Sequence, residues 1–598
     1  MALLKACAVL IALSMMSTLF VDPRDSESVA RAAAVSGVFS PPVRVNDNQA
    51  NDQGAPVIVS IPGRELFVVW QDSRAGLSNK NIYSSGSFDN GTTYAPNKRV
   101  DDSVGSLELT EPAAAVSGNG TILVVWQDNR RNWIDRDVFF SRSYDGGATF
   151  TKNMKVDDSN MSYLSWQERP SIAVTLGGTI FVAWTDDRLV PGHYLRIRGA
   201  YSNDGGATFS PSIEIAPSEA SNQQDVAVVV ANNNRIFVAF MDSISGAPHP
   251  YLCISTNGGK SFSAPTRLDS TGSSGVRQQS ITIAPMPGGG LVAAWEDSRN
   301  GAWDIYASIV SSSGKILTPD IKVDDDVTGS NEGAPSIASD QLGNIYVAWM
   351  DGKDGASTSV RFAYMAAGNT TFNKSVEIAK PGGTDMQRMP SIISPEPGRV
   401  SAVWQDDKGG TYDVYSSTAY FPDLFGLSFL SGWNFISIPT VGYVYNASTL
   451  GLLKGDAVVG WNSETQKYDR TYVVGMSPVW CDFSLCDSTG YWIHINAHER
   501  VKLKGSVPTA KQSRSIDVPD GGGWAMFGFE SLNVSRYASD IPKMLNRSDI
   551  ISSISCYYPA AMTYKTYVPG NPATDFVMVP GQACWIYLRA SATIAYSP

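Results

Sequence analysis

The sequence predicts an all-β chain: a seven-bladed β-propeller closed by its N-terminal strand, followed by two small β-sandwich-like modules. Three observations lead there. A unit of about 55 residues repeats, each copy holds four strand-like pieces, and the fourth piece missing from the last copy is present ahead of the first.

The repeat is marked by an aromatic residue followed two positions later by aspartate, at Trp70/Asp72, Trp126/Asp128, Trp184/Asp186, Phe240/Asp242, Trp295/Asp297, Trp349/Asp351 and Trp404/Asp406. Successive aromatics lie 56, 58, 56, 55, 54 and 55 residues apart. Such a period marks copies of one supersecondary unit. In the third copy the pieces are 170–174, 180–184, 197–202 and 212–216. Their β-branched and aromatic content, with Gly and Asn-rich breaks, reads as strand. Four short antiparallel strands repeated radially make a propeller blade. The fourth strand recurs at 98–102, 155–158 and 321–325, but no such strand follows 413–417. Pro42-Val-Arg-Val-Asn-Asp47 carries the missing pattern, so residues 39–47 are expected to complete the last blade and remove its open edge.

A chain of 598 residues is too long for one core. Its 43% hydrophobic and 17% charged residues describe an ordinary globular composition. The net charge of −11 argues against nucleic acid or anionic lipid as the main partner, because both call for a basic surface. Lys5, the apolar stretch from Ala6 to Val21 and the small residues up to Ala34 read as a secretory signal over 1–34, with no membrane span expected after its removal. Export permits disulfides, and Cys481 with Cys486 and Cys556 with Cys584 are the expected pairs. Cys253 stands alone and reads as a small buried hydrophobe.

Between the third and fourth strands, four copies share a tighter turn. It contains Ser87, Asp89 and Gly91; Ser143, Asp145 and Gly147; Ser202, Asp204 and Gly206; and, from Ser255, Asn257 and Gly259. The acidic or amide side chain caps its own turn, glycine takes positive φ, and the closing aromatic (Tyr94, Phe150, Phe209 or Phe262) enters the blade. This turn resembles the Asp-box, or bacterial neuraminidase repeat, of the sialidase superfamily, and the likeness covers about residues 38–420. The resemblance implies a propeller fold, with the box remote from the catalytic face. It would also imply three arginines on a substrate carboxylate, a tyrosine nucleophile with a glutamate partner, and an aspartate acid/base. The early Phe-Arg-Ile-Pro arginine motif of that family is absent here, and Arg44 sits instead in an expected outer strand.

Residues kept in nearly every copy read as scaffold: the Asp of each Trp-x-Asp, and Arg74, Arg130, Arg188 and Arg299 two positions later. Departures from the repeat are the better candidates for function. Arg169, Arg277 and Arg388 lie near the starts of first strands, where guanidinium groups can grip an anion. Trp133, Trp303 and Tyr412 lie in second-to-third-strand loops, where flat rings can stack on sugars. His193 and His249 occupy matching positions without a third partner, so no metal and no cofactor is expected.

The period ends near residue 421. Leu430 to Pro439 opens a different unit, and a diverged copy begins near Gly523, giving expected modules at 422–508 and 509–598 after a propeller at 35–421. They resemble the Gly-Trp-Asn modules appended to exported microbial proteins. The expectation is a secreted or cell-surface propeller that recognises a glycan or a surface protein. The alternatives are a glycoside hydrolase of the exo-sialidase class and a structural surface component.

Overall fold

The computed structural model describes residues 39–421 apart from short stretches (62–63, 106, 132–134, 160–164, 189–193, 219–220, 232–233, 273–274, 327–328, 353–356, 381, 383–384, 396–397 and 409), together with parts of 426–596. The signal expected over 1–34 lies outside the described residues, as do Cys481 and Cys486. The chain divides into two compact units, one spanning Val38–Tyr420 and the other holding Phe421–Pro598. No helix among the described residues is long and apolar enough to cross a membrane.

The first unit is all β, a propeller-like succession of four-stranded antiparallel sheets, each ordered as its strands follow in the chain. Their first strands are Gln53–Ile61, Leu109–Val116, Gln167–Val174, Gln223–Val230, Gln278–Pro285, Glu332–Ser339 and Gln387–Ile393, and the sheets are numbered I to VII in that order. Sheet VII takes its fourth strand from the start of the unit: Val43 and Arg44 pair with Ser416 and Tyr415. The Ser40 and Val45 amides extend this pairing to the Thr418 and Val414 carbonyls.

Packing explains the sequence pattern. Each first strand lies against that of the next sheet, and Gln387–Ile393 lies in the same way against Gln53–Ile61. Second strands such as Ile122–Asp128 and Ile180–Asp186 are buried throughout, because neighbouring sheets cover both faces. One core cluster joins Phe67 and Val69 of sheet I to Ile122 and Trp126 of sheet II. Another joins Val403 and Val414 of sheet VII to Ile58 and Trp70 of sheet I.

One shared feature was not visible in the sequence. Every first strand carries a β-bulge at its third residue, which adopts positive φ: Ala55, Glu111, Arg169, Asp225, Ser280, Ala334 and Met389, between 47° and 57°. In sheet III the first strand therefore begins at Gln167, three residues before the expected 170. The sequence conceals the bulge because none of these positions is glycine.

The Ser-x-Asp turns close as their residue types require. Ser143 Oγ donates to Asp145 Oδ1 at 2.7 Å and accepts the Gly147 amide at 2.8 Å, while Asp145 accepts the Thr149 amide and hydroxyl. Bonds from Thr149 hold the Asp145 carboxyl down at about 2. Asn257 repeats the scheme in sheet IV, accepting the Ser261 amide and donating to its hydroxyl. Each turn also touches the preceding sheet: the rings of Phe209 and Phe262 lie 5.4 and 5.3 Å from those of Phe140 and Phe181. Tyr94 of sheet I donates to Ser416 of sheet VII at 2.7 Å.

In the second unit, strands Gly432–Ser437, Gly490–Ile495, Ala457–Asn462 and Lys467–Val473 form one sheet in that order. Strands Gly523–Gly528, Ala583–Leu588, Ile551–Tyr558 and Thr563–Tyr567 form a second with the same connectivity. Cys556 and Cys584 face each other on paired strands and form a disulfide.

Gly147 has φ of 89°, and a Cβ there would overlap the Phe67 ring, so left-handed strain and overpacking combine. Gly147→Ala is expected to lower the unfolding free energy by roughly 2–4 kcal/mol. Gly246→Ala, also at positive φ but with no atom near the new methyl, should cost about 1 kcal/mol. Denaturant unfolding of the two variants checks the difference.

Candidate functional site at the sheet junctions

The repeated aspartates are occupied by the scaffold. Trp70, Trp126 and Trp184 each donate Nε1–H to the Asp two positions on at 2.9 Å. The same aspartates accept the guanidinium groups of Arg74, Arg130 and Arg188. Each arginine then reaches the outer strand of the preceding sheet: Arg74 to Asp47 at 3.0 Å, Arg130 to Asp102 at 2.6 Å and Arg188 to Asp158 at 2.7 Å. Arg299 makes the corresponding pair with Asp320 of its own sheet. Burial pushes the Asp128 carboxyl up against the pull of Arg130. Burial inside such a network makes these carboxylates fastenings rather than acids that meet a substrate.

The bulges add a second set of ties. At four junctions the residue after the marker aromatic accepts the bulge amide of the next sheet: Gln71 from Glu111, Gln127 from Arg169, Glu296 from Ala334 and Gln405 from Ala55, the last bond joining sheet VII to sheet I. Among the residues singled out for departing from the repeat, Arg169 sits on a bulge and pairs with the Asp225 bulge of sheet IV. Arg388 lies over the Tyr412 ring, 5.8 Å from its centroid, so the structure brings these two together. Arg277 is exposed, and its backbone bonds Ser298. No hydrogen bond, ion pair or ring contact among the described residues joins any two of these three arginines. Trp303 is half-buried, and its carbonyl accepts the Glu332 amide at 2.8 Å. Trp133 and His193 lie outside the described residues. His249 is buried, with Nδ1 2.6 Å from Gln278 Oε1 and near Arg267 and Asp269. Cys253 is buried and its thiol is pushed up to about 12 by that burial.

Sequence reading missed Trp166. It immediately precedes the first strand of sheet III and is 47% exposed. Arg136 of sheet II lies over its ring at 5.4 Å and pairs with Glu168. The Trp166 amide donates to Asp187, whose own amide bonds the Trp166 carbonyl at 3.1 Å. Burial, with the charges of Asp186, Glu168 and Asp135, pushes the Asp187 carboxyl up. An exposed indole thus lies under one guanidinium, with Glu168 paired to that guanidinium and Asp187 bonded to the Trp166 backbone. The available signal was that no other sheet has tryptophan directly before its first strand.

No family model matches the chain, and no curated protein matches it. Solved structures similar to it include a protein of unknown function from Dyadobacter fermentans, at 14% identity and TM-score 0.42, covering 64% of this chain and 98% of that one. A Hadza microbial sialidase is similar at 12% identity and TM-score 0.37, over 58% of this chain and 75% of that one. An α-L-arabinofuranosidase of Fusarium graminearum is similar at 15% identity and TM-score 0.38, over 54% and 97%. Likenesses this slight assign no activity.

Tie and free arginines should differ in mutagenesis. Arg130→Ala leaves the fully buried Asp128 without its cation and is expected to cost about 3 kcal/mol of stability. Arg277→Ala should change stability by no more than about 0.5 kcal/mol. Paired denaturation curves check this.

Proposed function

We propose that residues 35–421 form a closed seven-bladed propeller of sialidase-like type, secreted or held at a cell surface, that recognises a glycan at the Trp166 platform. Its Ser-x-Asp turns are then Asp-boxes, and the pairing of Val43–Arg44 with the last sheet is the clasp of the ring. The modules at 422–508 and 509–598 attach or present it.

The observation that carries the glycan reading is the Trp166, Arg136, Glu168 and Asp187 group. Sugars offer apolar C–H faces to a flat ring and hydroxyls to surrounding charged groups, and an exposed indole beside two carboxylates and a guanidinium supplies both. The Asp187 carboxyl, raised by burial, and the Glu168 carboxylate favour hydrolysis as a second reading, because glycosidic cleavage uses a pair of carboxyl groups.

A glycan array followed by calorimetry tests the proposal. Trp166→Ala is expected to weaken binding of the selected glycan at least about tenfold, with the thermal midpoint unchanged. Equal binding by this variant and the parent chain would refute it. Release of reducing sugar from the bound glycan, lost in Asp187→Asn, would decide for the hydrolase.

A further inference from the structure

The junction between sheets V and VI departs from the others in one direction only. At matching positions each junction presents the first residue of a third strand, the second residue after an outer strand, and the first residue of the next first strand. The trios are Asn81, Asp101 and Leu109; Asp137, Asp157 and Gln167; Arg196, Ala216 and Gln223; His249, Asp269 and Gln278; Asp304, Asp324 and Glu332; Ser359, Ala379 and Gln387; and Asp413, Asn46 and Gln53. Only the V/VI trio is all acidic. All three of its residues are buried, and each offers a carboxylate oxygen within 4.8 Å of the others.

The II/III junction shows what a balanced version looks like. There Asp137 meets both Arg131 and Lys155, Asp157 meets Lys155, and Ser159 donates to both carboxylates, with the neutral Gln167 in the third position. At V/VI Asn300 replaces Arg131, Asp326 replaces Ser159 and Glu332 replaces Gln167. Each exchange removes a positive charge, removes a donor or adds a negative charge. Lys322, 2.9 Å from both Asp304 and Asp324, is the scaffold's usual cation at this position, as Lys155 is at II/III, and it also bonds the Asp326 carbonyl. Ser330 Oγ donates to both Asp326 and Glu332 Oε1, which ties the fourth carboxylate to the group.

A second observation points to a ligand. Glu332 is 2% exposed, and its Oε2 has no hydrogen-bond partner. A buried carboxylate oxygen left bare among other carboxylates is costly; a proton or a cation relieves that cost, and only a cation also joins the other two carboxylates. We propose that Asp304, Asp324 and Glu332 bind a hard divalent cation of the calcium class, linking sheet V to sheet VI. All-oxygen carboxylate donors suit such an ion, and oxygens sharing one calcium lie no more than about 5 Å apart, a condition the trio meets.

Glu332→Gln is a conservative test, because glutamine occupies the matching position in sheets I, III, IV, V and VII. Asp326→Ser likewise restores the hydroxyl found at Ser103 and Ser159. With the full chain stripped by chelator, Tb3+ is expected to luminesce on tryptophan excitation, since Trp303 adjoins Asp304, and Ca2+ should quench the signal by displacement. Ca2+ should also raise the thermal midpoint. In Glu332→Gln and in Asp326→Ser both responses are expected to need at least about tenfold more metal. No response of the parent chain up to about 10 mM Ca2+, or identical titrations for parent and Glu332→Gln, would overturn the proposal.

Discussion

Second strands of the first unit are buried between neighbouring sheets, and at the junctions that carry Arg74, Arg130 and Arg188 the buried Trp-x-Asp-x-Arg link fastens one sheet to the sheet before it. In sheet II, Asp128 holds the Trp126 indole on one side and Arg130 on the other, and Arg130 crosses to Asp102 of sheet I. The arginine also lies 4.3 Å from the centroid of the Phe139 ring, adding a cation–π contact. A charge buried at the end of the second strand thus joins the indole of its own sheet to the neighbouring sheet. The apolar clusters between sheets follow from that placement.

A residue needed for fastening is needed at every junction, whereas a residue needed for binding is needed once. The departures carry the information about function for that reason. Trp166 departs by adding an exposed ring, and Glu332 by adding a buried charge. Their surroundings separate the two roles. Trp166 meets solvent beside Glu168 and Asp187, as a ligand platform must. Glu332 is buried between two sheets, the setting proposed above for an ion.

Much of the fold was legible because it repeats. The seven aromatic marks located the second strands, and the displaced Val43-Arg44 pattern located the strand that pairs with Ser416 and Tyr415. The bulges stayed hidden because left-handed φ is enforced by cross-sheet bonds, such as Gln127 to the Arg169 amide, and not by glycine. The candidate site was less legible for a related reason. Which arginines are free depends on partners far away in sequence: Arg169 is held by Asp225, 56 residues on, and Arg136 by Glu168, 32 residues on. Trp166 belongs to no repeated motif, and only the fold places Arg136 over its ring.

Closure of the ring is the claim on which the rest stands, because an open array would leave the inner faces of sheets I and VII to water. Native-state hydrogen exchange at the Val45 amide, which donates to the Val414 carbonyl at 2.8 Å, tests it most directly. Protection equal to that of second-strand amides such as Val124 is the predicted result, since both would open only with the whole unit. Exchange of Val45 at the rate of an unstructured tail, with Val124 still protected, would contradict closure.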